Sequence, residues 1–311
     1  MSHSTDGIRN IALAGHAGSG KTTLTEALLH AGGTIQTAGT IERGNTISDF
    51  DPMEKERQHS VQATLVAIDR GDCHVNLIDT PGYSDFRGPT LSALAAVETC
   101  AIVVNATNGI EHTTRRMMDY AKSRGLARVL VVNRIDTECN LEALTSELRE
   151  EFGTECLPIN LPAEGASKVV DCFFKPDGKA DFSSVADAHQ QILDQVVEIN
   201  EKIMDRYLEK GEKSLKGSEL HDAFEQCLRE GHLVPICFVS ARTGAGVTEF
   251  LDLIDRLLPN PLEGNPPPFV KGEGTNAKSI VAEADPGKHV IADVFKIAND
   301  PFVGKLSIFR I

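Results

Sequence analysis

The sequence predicts an α/β fold in which a six-stranded, mostly parallel sheet carries helices on both faces. Three observations lead there. Apolar runs of strand length alternate with helix-period segments along the chain, as in a parallel sheet whose crossovers are helices. The glycine-rich stretch Gly15-His16-Ala17-Gly18-Ser19-Gly20-Lys21-Thr22 stands between the first apolar run and the first helical pattern, the strand, loop, helix context of a phosphate-binding loop. Only Asp69-Arg70-Gly71-Asp72-Cys73 separates the second and third runs, too little for a crossover helix, so those two strands must be antiparallel neighbours.

From the N-terminus, the run at 8–14 is the first strand and the pattern at 22–29 its helix. Runs at 63–68 and 75–78 form the antiparallel edge, with a turn at Asp69 to Asp72 where glycine and aspartate are expected. A helix at 90–97, strand at 100–104, helix at 113–123, strand at 128–132 and helix at 141–152 follow, and the strand at 236–239 with the helix at 247–258 completes the alternation. Between 157 and 233 the pattern is interrupted by an expected α+β insertion: a strand-like piece at 168–175, a turn at Pro176-Asp177-Gly178-Lys179, and one long helical stripe of Ile192, Val196, Ile199, Ile203 and Tyr207. The stripe is expected to pack on the insertion's own small sheet. Pro259-Asn260-Pro261 closes the first domain, 1–263, and a Gly/Pro/Asn-rich linker at 264–288 leads to alternating residues over 289–311.

The motifs assign the chemistry. Glycines let backbone N–H groups close around phosphate oxygens at a helix N-terminus, where orphan donors and the helix dipole favour anions. Gly15, His16, Ala17, Gly18, Ser19, Gly20, Lys21, Thr22 and Thr23 are therefore the expected phosphate contacts, with Lys21 on the β- and γ-phosphates and the Thr22 hydroxyl on Mg²⁺. Asn133-Arg134-Ile135-Asp136 supplies the base reading, because an aspartate carboxylate accepts from both N1–H and the exocyclic amine of guanine and finds no such pair on adenine. A site built on that bond rejects the analogue lacking it by roughly 10⁴ to 10⁵. Ser240, Ala241 and Arg242 complete the base end, and the Arg134 stem is expected over the base plane. His16 is expected to contact backbone, and Glu54-Lys55-Glu56-Arg57 reads either as an ordered ion-pair helix in one nucleotide state or as solvated charge, the second slightly ahead.

Composition sets outer bounds. The 311 residues exceed one nucleotide-binding domain. A formal charge of −14 disfavours indiscriminate binding to nucleic acid. The seven cysteines are scattered, odd in number and without a C-x-x-C pair, so reduced core thiols are expected. With polar first residues and no apolar stretch of spanning length, we expect a cytoplasmic protein without membrane contact.

On these motifs, with Asp79-Thr80-Pro81-Gly82-Tyr83-Ser84-Asp85-Phe86, the Leu161-Pro162 opening of the insertion, Leu257-Leu258-Pro259-Asn260-Pro261 and Asp300-Pro301-Phe302-Val303-Gly304, the chain resembles the N-terminal part of elongation factor G, a translational GTPase. The resemblance implies a P-loop GTPase fold, GTP/GDP and Mg²⁺ as ligands, and a monomer. It further implies hydrolysis of GTP stimulated by the ribosome as partner, in translocation or ribosome recycling, and a β-barrel second domain of which 289–311 is the start, with further domains beyond. By position, switch I is 50–61 with Ser60 as the Mg²⁺ and γ-phosphate sensor in place of a threonine. Asp79 would hold Mg²⁺ through water, and the Gly82 N–H would meet the γ-phosphate. Ala241 would donate its N–H to the base carbonyl. Lys21, Gly82 and Tyr83 are the expected catalytic residues.

Two positions depart from the family pattern. Tyr83 stands where the family has the histidine that positions the attacking water, and a neutral phenol can hold a water but is a poor proton acceptor. Should acid–base character be the histidine's main contribution, its loss costs roughly 10² to 10⁴ in rate. Gly18 replaces an aspartate. Both occur in sequences resembling the paralogous elongation factor G-like branch. Three functions are open on this reading: a ribosome-stimulated GTPase, a GTP-dependent ribosome-binding switch with little hydrolysis, and a P-loop ATPase or kinase, against which Asp136 argues.

Overall fold

Seven strands, six of them six or seven residues long and one of three, make the main sheet of the computed structural model, which describes residues 3–215, 217–264, 269–274, 277–280, 285, 287–288, 290–300 and 302–311. The chain runs through β1 (Ile8–Ala14), α1 (Lys21–Ala31), α2 (Pro52–Arg57), β2 (Thr64–Arg70), β3 (Cys73–Asp79), α3 (Arg87–Leu94), β4 (Thr99–Asn105), α4 (His112–Ser123), β5 (Ala127–Asn133), α5 (Leu141–Phe152) and β6 (Cys156–Pro158). After β7 (Asn160–Ala163), β8 (Lys168–Asp171), α6 (Val185–Val197), α7 (Glu201–Lys210) and α8 (Gly217–Glu230) it returns to the sheet as β9 (Val234–Val239), followed by α9 (Val247–Leu257). Strand order is β2-β3-β1-β4-β5-β9-β6. The edge pair β2–β3 is antiparallel, Thr64 opposite Asp79, and the other pairs are parallel.

Burial follows from that order. Every residue of β4, β5 and β9 is buried, as expected of inner strands covered on both faces, whereas the edge strand β2 alternates buried and exposed residues. α9 lays Val247, Phe250, Leu251, Ile254 and Leu257 on the core and touches α1. Each such side chain contributes roughly 1.5 to 3 kcal/mol on burial. Six of the cysteines are buried and Cys139 half-buried; all are free, and burial pushes the Cys100, Cys156, Cys172 and Cys227 thiols up to about 12.

The sheet has one strand more than expected. β6 holds three residues, too few to show alternation, and is defined by pairing with β9, Cys156 opposite Val234. In the insertion, β8 is shorter than the 168–175 expected and pairs antiparallel with β7. The single helical stripe is two helices. Asn200 interrupts it, its side-chain oxygen accepting from Lys202 N at 3.0 Å to cap α7, because an Asn at that spot satisfies orphan donors better than another helical turn. Ile192 and Val196 are fully buried, but α6 packs chiefly on α8, then on α7 and β6, and His189 Nδ1 lies 2.8 Å from O of Cys172, the residue after β8.

The expected linker contains an antiparallel pair, β10 (Phe269–Lys271) with β11 (Lys278–Ile280); its positions 265–268, 275–276, 281–284 and 286, together with 289 and Pro301, lie outside the described residues. β12 (Asp293–Asp300) and β13 (Gly304–Arg310) then form a hairpin with Asp300 opposite Gly304. Two charged side chains fasten it to the sheet: the Lys296 amine donates to Ala63 O, and the Arg310 guanidinium pairs with buried Glu98, which also accepts from Asn10 Nδ2 at 2.9 Å.

Candidate nucleotide-binding site

The parallel strands β1, β3, β4, β5 and β9 end on one side of the sheet, and the loops that follow β1, β3, β5 and β9 meet there, where open α/β sheets bind ligands. The first loop owes its path to glycine. Gly15 (φ 138°) lies so close to Val103 O that any side chain would run into that carbonyl, and Gly20 (φ 90°) is equally tight against Asn133 Nδ2. Gly18 (φ 79°) also needs the left-handed region, with open space around it. Inside the loop, Lys21 Nζ donates to Gly15 O at 3.0 Å and His16 O at 2.9 Å. Burial lowers its pKa to about 8 against the opposing pull of Asp79 and Glu111. Ser19 is fully buried and its hydroxyl lacks a hydrogen-bond partner among the described residues, Ala17 borders Gly82, and Thr23 is half-buried in the first turn of α1. His16 contacts side chains rather than the expected backbone: Nδ1 is 3.1 Å from Thr113 Oγ1 and Nε2 3.4 Å from Glu111 Oε1, because the start of α4 lies against the loop.

Two further segments close on this loop. Thr22 Oγ1 donates to Asp79 Oδ2 at 2.8 Å and lies 3.2 Å from Ser60 Oγ, which donates to Asp49 Oδ1 at 2.7 Å. Gly82 sits so near Lys21 Nζ and Ala17 N that only glycine fits. Tyr83 follows it, half-exposed.

At the other end one side chain joins three loops. Asn133 Nδ2 donates to Ser19 O at 3.0 Å, while its Oδ1 accepts from Arg134 N at 2.8 Å and Ala241 N at 3.0 Å. Arg134 adopts φ 68°, which turns the chain so that Asp136 faces the β9 loop. Asp136 Oδ1 accepts from Ser240 Oγ at 2.5 Å, and Oδ2 from Arg242 Nε at 2.8 Å. Burial works to raise the Asp136 pKa, but the bonds from Ser240 and Arg242 outweigh it and hold the carboxyl below its ordinary range. The carboxylate is thus ionised at neutral pH; Nη2 of Arg242 donates to Oδ2 as well, so a bidentate donor on a bound base would take the place of the Arg242 guanidinium.

Residues 6–260 match the family described as "Elongation factor Tu GTP binding domain". The chain belongs to that family. An elongation factor G-like protein of Mycobacterium tuberculosis is 30% identical over 98% of this chain and 44% of its own length, and one of Thermotoga maritima 31% identical over 98% and 45%. Elongation factor G of Fervidobacterium nodosum is 28% identical over 98% and 46%. A crystal structure of a protein from Thermus thermophilus superposes with a TM-score of 0.80 at 33% identity, covering 97% of this chain and 45% of that one. The chain therefore spans a little under half the length of these relatives. As in the elongation factor Tu family generally, this is a GTP-binding domain of translation-factor type, on a mostly parallel sheet.

A GTP-binding domain of this family implies Mg²⁺, and the residues present fit it. Asp79 Oδ1 is buried without a hydrogen-bond partner among the described residues, and with the hydroxyls of Thr22 and Ser60 it makes a hard, all-oxygen donor set. Burial raises the Asp79 pKa to about 6, opposed by Thr22 and Lys21, a cost that a bound cation offsets. Sequence motifs did not single out the carboxylates that shape the first switch. Buried Glu26 of α1 accepts from Gly39 N at 2.7 Å and Ile47 N at 2.5 Å, and buried Glu54 accepts from Val61 N at 2.8 Å and Gln62 N at 3.0 Å. Glu54 is thereby no solvated charge: α2, capped by Asp51 onto Met53 N, turns it inward. Asp49 joins them as the partner of Ser60. Glu54 lies in the expected switch I span and in a charge run, but neither signals an inward carboxylate, and Glu26 and Asp49 lie in no motif.

Proposed function

We propose that the protein binds GTP with Mg²⁺ and hydrolyses it to GDP and phosphate on the ribosome, serving elongation or ribosome recycling. The observation that supports this reading is the convergence beside the phosphate loop of Lys21, Thr22, Ser60, Asp79 and Gly82 from three separate segments, while an ionised Asp136 waits at the base end. In this reading Lys21 and the loop amides bind the phosphates, and Thr22, Ser60 and Asp79 would hold Mg²⁺, which when bound would neutralise phosphate charge. Gly82 N–H meets the γ-phosphate and the Tyr83 hydroxyl holds the attacking water. Asp136, Ser240, Ala241 and the Arg134 stem surround guanine. Gain or loss of γ-phosphate contacts to Ser60 and Gly82 is the switch.

A second reading, a GTP-gated ribosome binder with little turnover, is favoured by Tyr83, since its phenol cannot supply an imidazole's proton acceptance. GTP hydrolysis by the intact protein with and without vacant ribosomes separates the two. Stimulated turnover supports the first. Tight GTP binding without stimulation, rescued by Tyr83→His, overturns it in favour of the second.

A further inference from the structure

The two switch segments meet through aromatic rings. His59 lies with its ring centroid 4.6 Å from that of Tyr83, the planes tilted by 54°, and 5.9 Å from that of Phe86 at 34°. Those separations are in the range where tilted ring pairs attract beyond simple burial. His59 belongs to the first switch and Tyr83 to the second. Tyr83 is 49% exposed, so general core packing does not fix its phenol, and an adjacent ring is an effective way to do so.

The position of His59 is not independent of the candidate Mg²⁺ ligands. α2 ends at Gln58 in the left-handed region (φ 54°), and His59 N donates back to Glu54 O at 3.3 Å. The next residue is Ser60, whose hydroxyl reaches Thr22 and Asp49. Beyond it, Val61 and Gln62 donate to the Glu54 carboxylate. One turn of backbone, tied at both ends to Glu54, therefore carries Ser60 to the phosphate loop and His59 to Tyr83 together. A conformation that places one places the other.

We infer that His59 is a positioning residue: its ring holds the Tyr83 phenol in place when the first switch closes over the nucleotide, so that the catalytic setting of the second switch depends on closure of the first. The inference rests on the reading of Tyr83 as the residue that holds the attacking water. It assigns His59 the work of a ring surface, with no proton transfer.

With 3-fluorotyrosine labelling, the fluorine signal of Tyr83 is identified as the one lost in Tyr83→Phe. With Mg²⁺ and a non-hydrolysable GTP analogue, the Tyr83 signal is expected to be displaced from its GDP position. In His59→Ala that displacement collapses, and in His59→Phe, which keeps a ring, it remains. Single-turnover GTP hydrolysis is expected to fall by about 3- to 10-fold in His59→Ala, the size of one aromatic pair, with the affinity for GTP within a factor of about two. His59→Phe restores most of the rate. A Tyr83 signal indifferent to His59→Ala overturns the inference, as does full activity in that variant or failure of phenylalanine to rescue. If the unaltered protein hydrolyses no GTP, the GTPase reading fails by itself, and the fluorine displacement alone then decides whether the rings join the switches.

Discussion

Asn133 is the residue on which the pocket's geometry turns. Its amide donates to the phosphate loop and accepts from the loop after β9, so Asn133→Ala deletes bonds to two loops at once. At roughly 1 kcal/mol per bond, with an added cost for the buried groups left unpaired, a loss of about 30- to 1,000-fold in GDP affinity is expected, read by titration with a fluorescent GDP analogue. Asp136 governs choice rather than strength. Asp136→Asn puts an amide donor where guanine also offers donors, so preference should move from guanine towards xanthine nucleotides, whose ring carries a carbonyl there; retained GDP preference in competition binding would contradict the assigned role. These residues were legible in the sequence because each chemistry is local: a fixed spacing of Gly, Lys and Thr, or an Asn three positions before an Asp. The inward roles of Glu26 and Glu54 were not. They act on backbone N–H groups of segments 7 to 21 residues away, and nothing in their immediate neighbours distinguishes them from surface glutamates.

Among the elements, strands and helices with a long period could be read and short or interrupted ones could not. β5 and α5 fill their expected spans nearly to the residue, whereas β6 exists only through β9, and the stripe from Ile192 to Tyr207 keeps its period across a break that a single Asn enforces. Asn200→Ala should cost about 1 kcal/mol by removing that cap, seen as a lower urea midpoint with unchanged slope. α8 carries a titratable liability. Glu225 is buried, and burial pushes its pKa up to about 7 despite Arg229, 3.7 Å away. An unfolded glutamate gives up its proton near pH 4.5, so between about pH 4.5 and 7 the folded state holds a proton that the unfolded state has lost. The stability carried by the protonated carboxyl is therefore lost as pH rises through that window. Glu225→Gln should make the protein more stable than its parent at pH 8 by roughly 1 to 2 kcal/mol after allowing for solvent screening, with no difference below about pH 4.5 in paired denaturation curves.

At the scale of the whole molecule, the β12–β13 hairpin is held to the nucleotide-binding sheet by charged side chains as well as by Phe295 on the core. Burial raises the Glu98 pKa, and Arg310 and Asn10 oppose the rise. Arg310→Met strands that carboxylate, and a loss of about 3 to 5 kcal/mol in docking is expected, measured as faster amide exchange in β12 and β13 than in β4. The two anchors lie just ahead of strands: Ala63 precedes β2 and Glu98 precedes β4. Ala63 is also the residue next to Gln62, where the tie to Glu54 ends. Of the two anchors, the one through Lys296 reaches the hem of the first switch. The hairpin is thus tied at once to the head of β4 and to the residue that follows the Glu54-bound end of the first switch.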